Sequence, residues 1–316
     1  METKGFGVAI GAGDTRVYDF SVLKKSFKVQ DVLEDEVRIA DEDLPSIIDQ
    51  GHIGSCVACS LAEMLEFFNY LETGTRIKYS HPYIYGKHRS KDSTGWGMLV
   101  ETALKSMMNC GSVPIDVWGR PAEMKEAKDL VWDRKDLEEL AKPTKIAGYC
   151  KIRWNNNADA AKQIYLAIKN TGTPVIATSQ YAFGEPHCVM IYGVNVKTQE
   201  VYVQNSWGEN WGEKGRIRMP VSNFENAYMI MDEVTALPFK DVPEDAWYYK
   251  AVANMYRAGY LNGKTEDTFD PDGYVRRSEL AQVLNKILKH LDEIEAARGD
   301  CLGNWIQKVE DRIGQN

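Results

Sequence analysis

Residues 50–68 read QGHIGSCVACSLAEMLEFF. The first half is loop-like, with glycines at 51 and 54 and no periodic apolar residues. From Ser55 onward Val57, Leu61, Met64, Leu65 and Phe68 recur at helical spacing, so they form one buried stripe. The pattern predicts a helix from Ser55 to about Leu71, closed by Gly74. Cys56 then stands at the start of a helix. Free N–H groups and the positive dipole end favour a thiolate there. A cysteine in the middle of an apolar face is only a small hydrophobe.

Working outward, Ser26–Leu33 alternates like a strand, and a second helix is expected near Leu99–Met108. Residues 121–142 are charge-dense and read as a solvated helix face. Lys145–Trp154 reads as a strand and Ala158–Asn170 as a helix capped by Thr171 and Gly172. Strands follow in PVIATSQY, HCVMIYGVN, EVYVQNSWG and GRIRMP. Helices early and strands late indicate an α+β domain ending near Leu237. Beyond it come a turn-rich opening, a helix around Tyr249–Ala258, a DPDG turn and a helix from Ser278 to about His290. The last segment, 291–316, is amphipathic, with Leu291, Ile294, Leu302, Trp305, Ile306, Val309 and Ile313.

The chain has 316 residues, of which 44% are hydrophobic and 27% charged, close to a folded globular average. No apolar run is long enough to cross a bilayer as a helix, so no membrane insertion is expected. A net charge of −8 argues against a nucleic-acid partner. No secretory signal is visible, which makes the cytoplasm the default location. Six cysteines are too few for a disulfide scaffold, and the scattered histidines give no zinc pattern. No metal or cofactor is expected.

Three features turn Cys56 from a core residue into a candidate nucleophile. Gln50, six residues upstream, can bring a side-chain amide beside the Cys56 N–H, and two convergent donors make an oxyanion hole. His187 opens an apolar strand, and Asn205 lies in QNSWGENWGEKG. They follow the cysteine by roughly 130 and 150 residues, the separation found in one class of thiol hydrolase. An imidazole can take the thiol proton, and an amide can fix the imidazole without adding charge.

Over residues 40–237 the chain resembles the papain-like cysteine proteases, in DQGHIGSC, PHCVMIYGVN and NSWGENWGEKGRIRM. The resemblance implies a two-lobed fold, a helical lobe against a β-barrel-like lobe, with the cleft between them. It implies a peptide or protein substrate. Cys56 would be the nucleophile, His187 the general base and acid, Asn205 the orienting group and Gln50 part of the oxyanion hole. Trp207 would shield the His187–Asn205 bond. Gly95 and Gly97, in STGWGML, fall where the family lets substrate backbone approach, and Trp211 either packs in the β lobe or lines the cleft. Ile53 stands where most members have a disulfide cysteine, and Val57 where an aromatic is usual. About 40 residues precede this domain, and residues 1–30 are expected to pack on it or partly block its cleft.

Residues 238–290 resemble an S-layer homology domain, in FKDVPEDAWYYKAV, GYLNG, TFDPDGYV and RRSELAQVL. The resemblance implies a small, mainly helical unit with Phe239 and Trp247 in its core. Arg277 matches a position that contacts anionic cell-wall polysaccharide, which hints at a surface role. The expected organisation is an N-terminal extension (1–39), the protease-like domain (40–237), the S-layer-like domain (238–290) and a helical tail (291–316), with association between chains through the C-terminal region. Two other readings of the motifs are a non-catalytic binding protein on a protease-like scaffold and a dithiol redox protein using Cys56 and Cys59.

Overall fold

The computed structural model describes residues 18–19, 34–89, 97–118, 131, 134–232, 239–243, 246–257, 261–265 and 267–289. The expectations for Ser26–Leu33, for a cleft plug within 1–30, for Gly95 and for the tail 291–316 lie outside these residues.

The chain forms strands β1 (Tyr18–Asp19) and β2 (Glu36–Arg38) and then helices α1 (Cys56–Thr73), α2 (His81–Lys87), α3 (Val100–Met107) and α4 (Lys135–Ala141). Strand β3 (Ile146–Ile152) and helix α5 (Asn157–Thr171) come next. Five strands complete the domain: β4 (Val175–Ser179), β5 (His187–Asn195), β6 (Glu200–Gln204), β7 (Arg216–Pro220) and β8 (Asn226–Asp232). Two helices follow, α6 (Tyr249–Arg257) and α7 over 277–289. The expected helix at Cys56 is therefore present and runs two residues past Leu71, to Thr73.

The strands make one sheet in the order β1-β3-β8-β4-β5-β6-β7, with β2 added to β5. All pairings are antiparallel except β1 on β3, where Tyr18 lies opposite Cys150. Strand β8 was not expected from the sequence. It is the last strand in the chain yet lies between β3 and β4, pairing Tyr149 with Ile230 and Ile176 with Tyr228.

Helices cover both faces, and the period-2 alternation of the strands divides the side chains between them. Ile176, Cys188, Met190, Tyr192, Tyr228 and Ile230 pack with α1. Val175, Ala177, Val189, Ile191 and Met229 pack with α5. This explains why β5 reads as an unbroken apolar run: both of its faces are buried. Helix α1 is buried from Cys56 through Phe68, so its two sides meet the sheet and the other helices. Burying each of its large side chains, such as Leu61 and Phe67, contributes about 1.5–3 kcal/mol.

Within this core sits a carboxyl group that does not fit an apolar environment. Glu63 on α1 is 1% exposed, and neither carboxylate oxygen has a hydrogen-bond partner. Burial pushes its carboxyl well above the ordinary range, which holds it protonated. The charge-dense segment contributes α4, whose Leu137, Leu140 and Ala141 pack with Tyr83, Val113 and Trp118 in a separate small core.

The C-terminal unit has its own core of Phe239, Val242 and Val252, with Tyr256 and Phe269 against the Phe239 ring. Asp241 accepts the N–H groups of Phe269 and Asp270 at 2.8 and 2.6 Å, which pins the DPDG turn. Trp247 corrects the sequence expectation. It is 93% exposed, standing against Tyr248 outside the core that Phe239 fills. On α7, Leu280, Leu284 and Leu288 recur every fourth residue and are exposed. Helix α6 touches α1, so this unit meets the helical side of the larger domain.

Candidate active site

Cys56 is the first residue of α1 and is fully buried. The backbone N–H groups of Val57 and Cys188 lie near its sulfur and favour the thiolate. The second of these belongs to the peptide joining His187 to Cys188, so the thiol sits against the first peptide of β5. Burial pushes the thiol up to about 11, the two N–H groups pull it down, and the nearby Glu185 charge adds to the upward shift.

His187 is the first residue of β5 and is 1% exposed. Its Nε2 donates to Asn205 Oδ1 at 2.7 Å. Its Nδ1 is buried with no hydrogen-bond partner. Burial pulls the imidazole down to about 4, and the Asn205 bond opposes this by favouring the charged ring. Each group alone therefore prefers to be neutral.

Asn205 follows β6 and is fully buried. Its Oδ1 also accepts the Ser206 N–H at 2.8 Å, and its own N–H donates to the Gly215 carbonyl. A cage of rings surrounds the imidazole. Trp207 lies 4.8 Å and Phe183 4.9 Å from the His187 ring, centroid to centroid. Trp211 packs edge-on against Trp207 at 5.5 Å. It touches the outer side of the cage and is not among the residues that line the cleft.

Gln50 is 5% exposed and is held at both ends of its amide. Oε1 accepts the Ser206 hydroxyl at 2.6 Å, and Nε2 donates to the Ile53 carbonyl at 2.9 Å. The second Nε2 hydrogen is left for another acceptor. The Gln50 loop is sewn to the Asn205 loop by Gln50 N–H to Ser206 O and Gly208 N–H to Ile48 O. Gly208 has φ +78, and a Cβ there would stand 3.1 Å from an Asp49 oxygen, so only glycine allows this approach.

Gly97 is buried, with φ 89, and donates its N–H to the Tyr85 hydroxyl at 3.3 Å. Tyr85 lies within electrostatic range of Cys56. Arg277, the remaining candidate, opens α7 with its side chain exposed.

The cleft beside these groups has a volume of about 380 Å³ and is lined by Asp49, Gln50, Gly51, His52, Glu185, His187 and Trp207. Sequence reasoning missed Phe183, Asp49 and Glu185 as neighbours of the site. Only their closeness in the chain to His187 and Gln50 could have flagged them. Cys59, the other half of the CxxC pair, is a free buried thiol 3.7 Å from the Ser55 hydroxyl. Among the described residues no group of three or more His, Cys, Asp or Glu is placed to hold a metal ion. No helix among them is long and apolar enough to cross a membrane.

Fold and site together define a Cys–His–Asn thiol protein in which a helix and a sheet each supply part of the site. The chain belongs to the papain family of cysteine proteases, whose profile matches residues 34–237. The S-layer homology domain profile matches residues 238–281. Among similar proteins, the probable cysteine protease RDL2 of Arabidopsis thaliana is 26% identical over 208 residues, 61% of this chain and 56% of that protein. Chymopapain of Carica papaya is 26% identical over 186 residues, 54% of this chain and 50% of its own length. The chain thus spans about half the length of the curated relatives it matches. The solved structure of xylellain, a cysteine protease from Xylella fastidiosa, superposes with a TM-score of 0.58 at 20% identity, covering 72% of this chain and 96% of that one. A mite-allergen structure concerning Blo t 1 and Der p 1 gives 0.53 at 18% identity, covering 72% and 80%. At these identities the two structures speak for the fold alone.

Proposed function

We propose that the protein is a cysteine peptidase that hydrolyses peptide bonds through an acyl-enzyme on Cys56. The observation that carries this reading is the His187 ring. One nitrogen is fixed on Asn205, and the other is buried and unpaired in the site that also holds the Cys56 helix start.

In this reading the Cys56 sulfur attacks the substrate carbonyl carbon as its proton passes to His187 Nδ1. The carbonyl oxygen gains the negative charge, and the Cys56 N–H and the spare Gln50 hydrogen stabilise it. His187 then gives the proton to the leaving nitrogen, the C–N bond breaks, and a thioester remains. Water attacks the thioester with His187 as base, which releases the acid and restores the thiol. Asn205 keeps the ring in the tautomer this cycle needs, Trp207 and Phe183 keep water from the His187–Asn205 bond, and Gly97 leaves room for substrate backbone. The test is labelling with an irreversible thiol-protease inhibitor, read by mass spectrometry. Wild type should carry one adduct on Cys56, and Cys56→Ala and His187→Ala should carry none. An adduct that persists in Cys56→Ala would place the nucleophile elsewhere.

The C-terminal unit supports a surface role, with Arg277 exposed for an anionic cell-wall polysaccharide and the α7 leucines exposed for association between chains. Co-sedimentation with purified cell walls, lost in Arg277→Ala, would support the first. A concentration-dependent mass in light scattering would support the second. In this reading the extension, the protease-like domain, the S-layer-like domain and the tail divide at 39, 237 and 290.

A further inference from the structure

The leaving side of the cleft carries two carboxylates. His187 must hand its proton to the leaving nitrogen, so the segment after the scissile bond runs past His187 into the space lined by Asp49, Gln50, Gly51, His52, Glu185 and Trp207. No lysine or arginine is among the described residues lining it. Asp49 is held in place: one oxygen accepts the Gly51 N–H at 2.9 Å, and the other faces the bare Cα of Gly208. Glu185 stands two residues before His187, in the loop that also brings Phe183 to the imidazole. His187 itself lines the same space.

We propose that Asp49 and Glu185 make the enzyme select substrates with lysine or arginine in the first two positions after the scissile bond. This rests on the peptidase reading above and deepens it by naming the substrate class. A cationic side chain there meets two negative charges, one fixed by backbone contacts. An acidic side chain meets repulsion beside a site whose developing oxyanion is already negative. The electrostatic influence of Glu185 on Cys56 places that charge within range of the reacting atoms. The acyl side, toward Gly97 and Tyr85, takes no part in this preference.

The experiment uses the full chain and internally quenched peptides that share one acyl-side sequence and carry Lys, Ala or Glu in the two positions after the bond. The quantity read is the ratio of kcat/KM for the Lys and Glu peptides. The expected ratio is about tenfold or more in wild type, since each partly exposed charge pair is worth up to about fivefold. It should fall to within about threefold in the Asp49→Asn/Glu185→Gln double variant. In wild type it should also shrink as salt rises from about 0.05 to 0.5 M, a check that needs no variant. Equal rates for the Lys and Glu peptides, a preference that survives both substitutions, or one that ignores salt would overturn the inference. Labelling of Cys56 separates the two levels. A protein that labels and cleaves without a basic preference refutes this inference alone, whereas one that neither labels nor cleaves refutes the peptidase reading and this inference with it.

Discussion

The imidazole of His187 has one hydrogen bond, to Asn205 Oδ1 at 2.7 Å, and replacing Asn205 with alanine removes it. Both residues are buried. In the proposed cycle the ring becomes charged during attack, and a buried hydrogen bond to a charged group contributes about 1.5–3 kcal/mol. The loss should therefore lower kcat/KM about 10- to 150-fold. The Asn205 bond also favours the charged ring, so its loss should move the acid limb of the pH–rate profile to lower pH. The assay is kcat/KM on one fluorogenic peptide from about pH 4 to 9, corrected for active-site content by inhibitor titration, with circular dichroism to check folding. A folded Asn205→Ala enzyme within about threefold of wild type would refute the claim that this bond holds the ring for catalysis.

Gln50→Ala should lower kcat about 100- to 1,000-fold with a smaller change in KM, because the lost donor acts on the oxyanion; equal effects on KM and kcat would instead mark a loop defect. His88 is fully buried between Ser106 Oγ and the Gly111 carbonyl, and burial pulls it down to about 4. Its folded pKa is below the unfolded value, so its contribution is complete above about pH 6.5 and is lost as pH falls through 4. Urea unfolding should show a loss of about 3 kcal/mol across that window, reduced in His88→Gln. Glu63 has the opposite sign: its raised folded pKa stabilises the fold below the unfolded value, and this is lost as pH rises. Glu63→Gln should therefore raise stability at neutral pH, seen as a higher unfolding midpoint, and should flatten the decline as pH rises. Phe239→Ala should cost the C-terminal unit about 3–5 kcal/mol, measured as loss of its proteolytic resistance while Cys56 labelling persists.

Much of the fold could be read from local patterns because the local patterns were also the packing patterns. The stripe from Val57 to Phe68 is the face and flank of α1, and the HCVMIYGVN run is the strand covered on both sides. Strand β8 escaped because AYMIM between Asn226 and Asp232 is too short to show a period, and its partners lie far away in the chain. Cys56, His187 and Asn205 stood out as candidates through chemistry that restricts residue type at each point. Phe183 and Glu185 were not, because any chain long enough to bring a ring or a charge to that loop would read the same. Trp247 failed for a different reason: the small core beside it is built by Phe239, Val242 and Val252 with Phe269 against them, and the indole stands outside it.

The insertion of β8 between β3 and β4 has a bearing on synthesis. All four candidate catalytic side chains have left the ribosome once residue 205 has emerged, but the sheet that aligns them still lacks an interior member. The strands on either side of that gap cannot be joined until residues 226–232 arrive. A stalled or prematurely terminated chain thus holds the candidate groups without the frame that would bring them together.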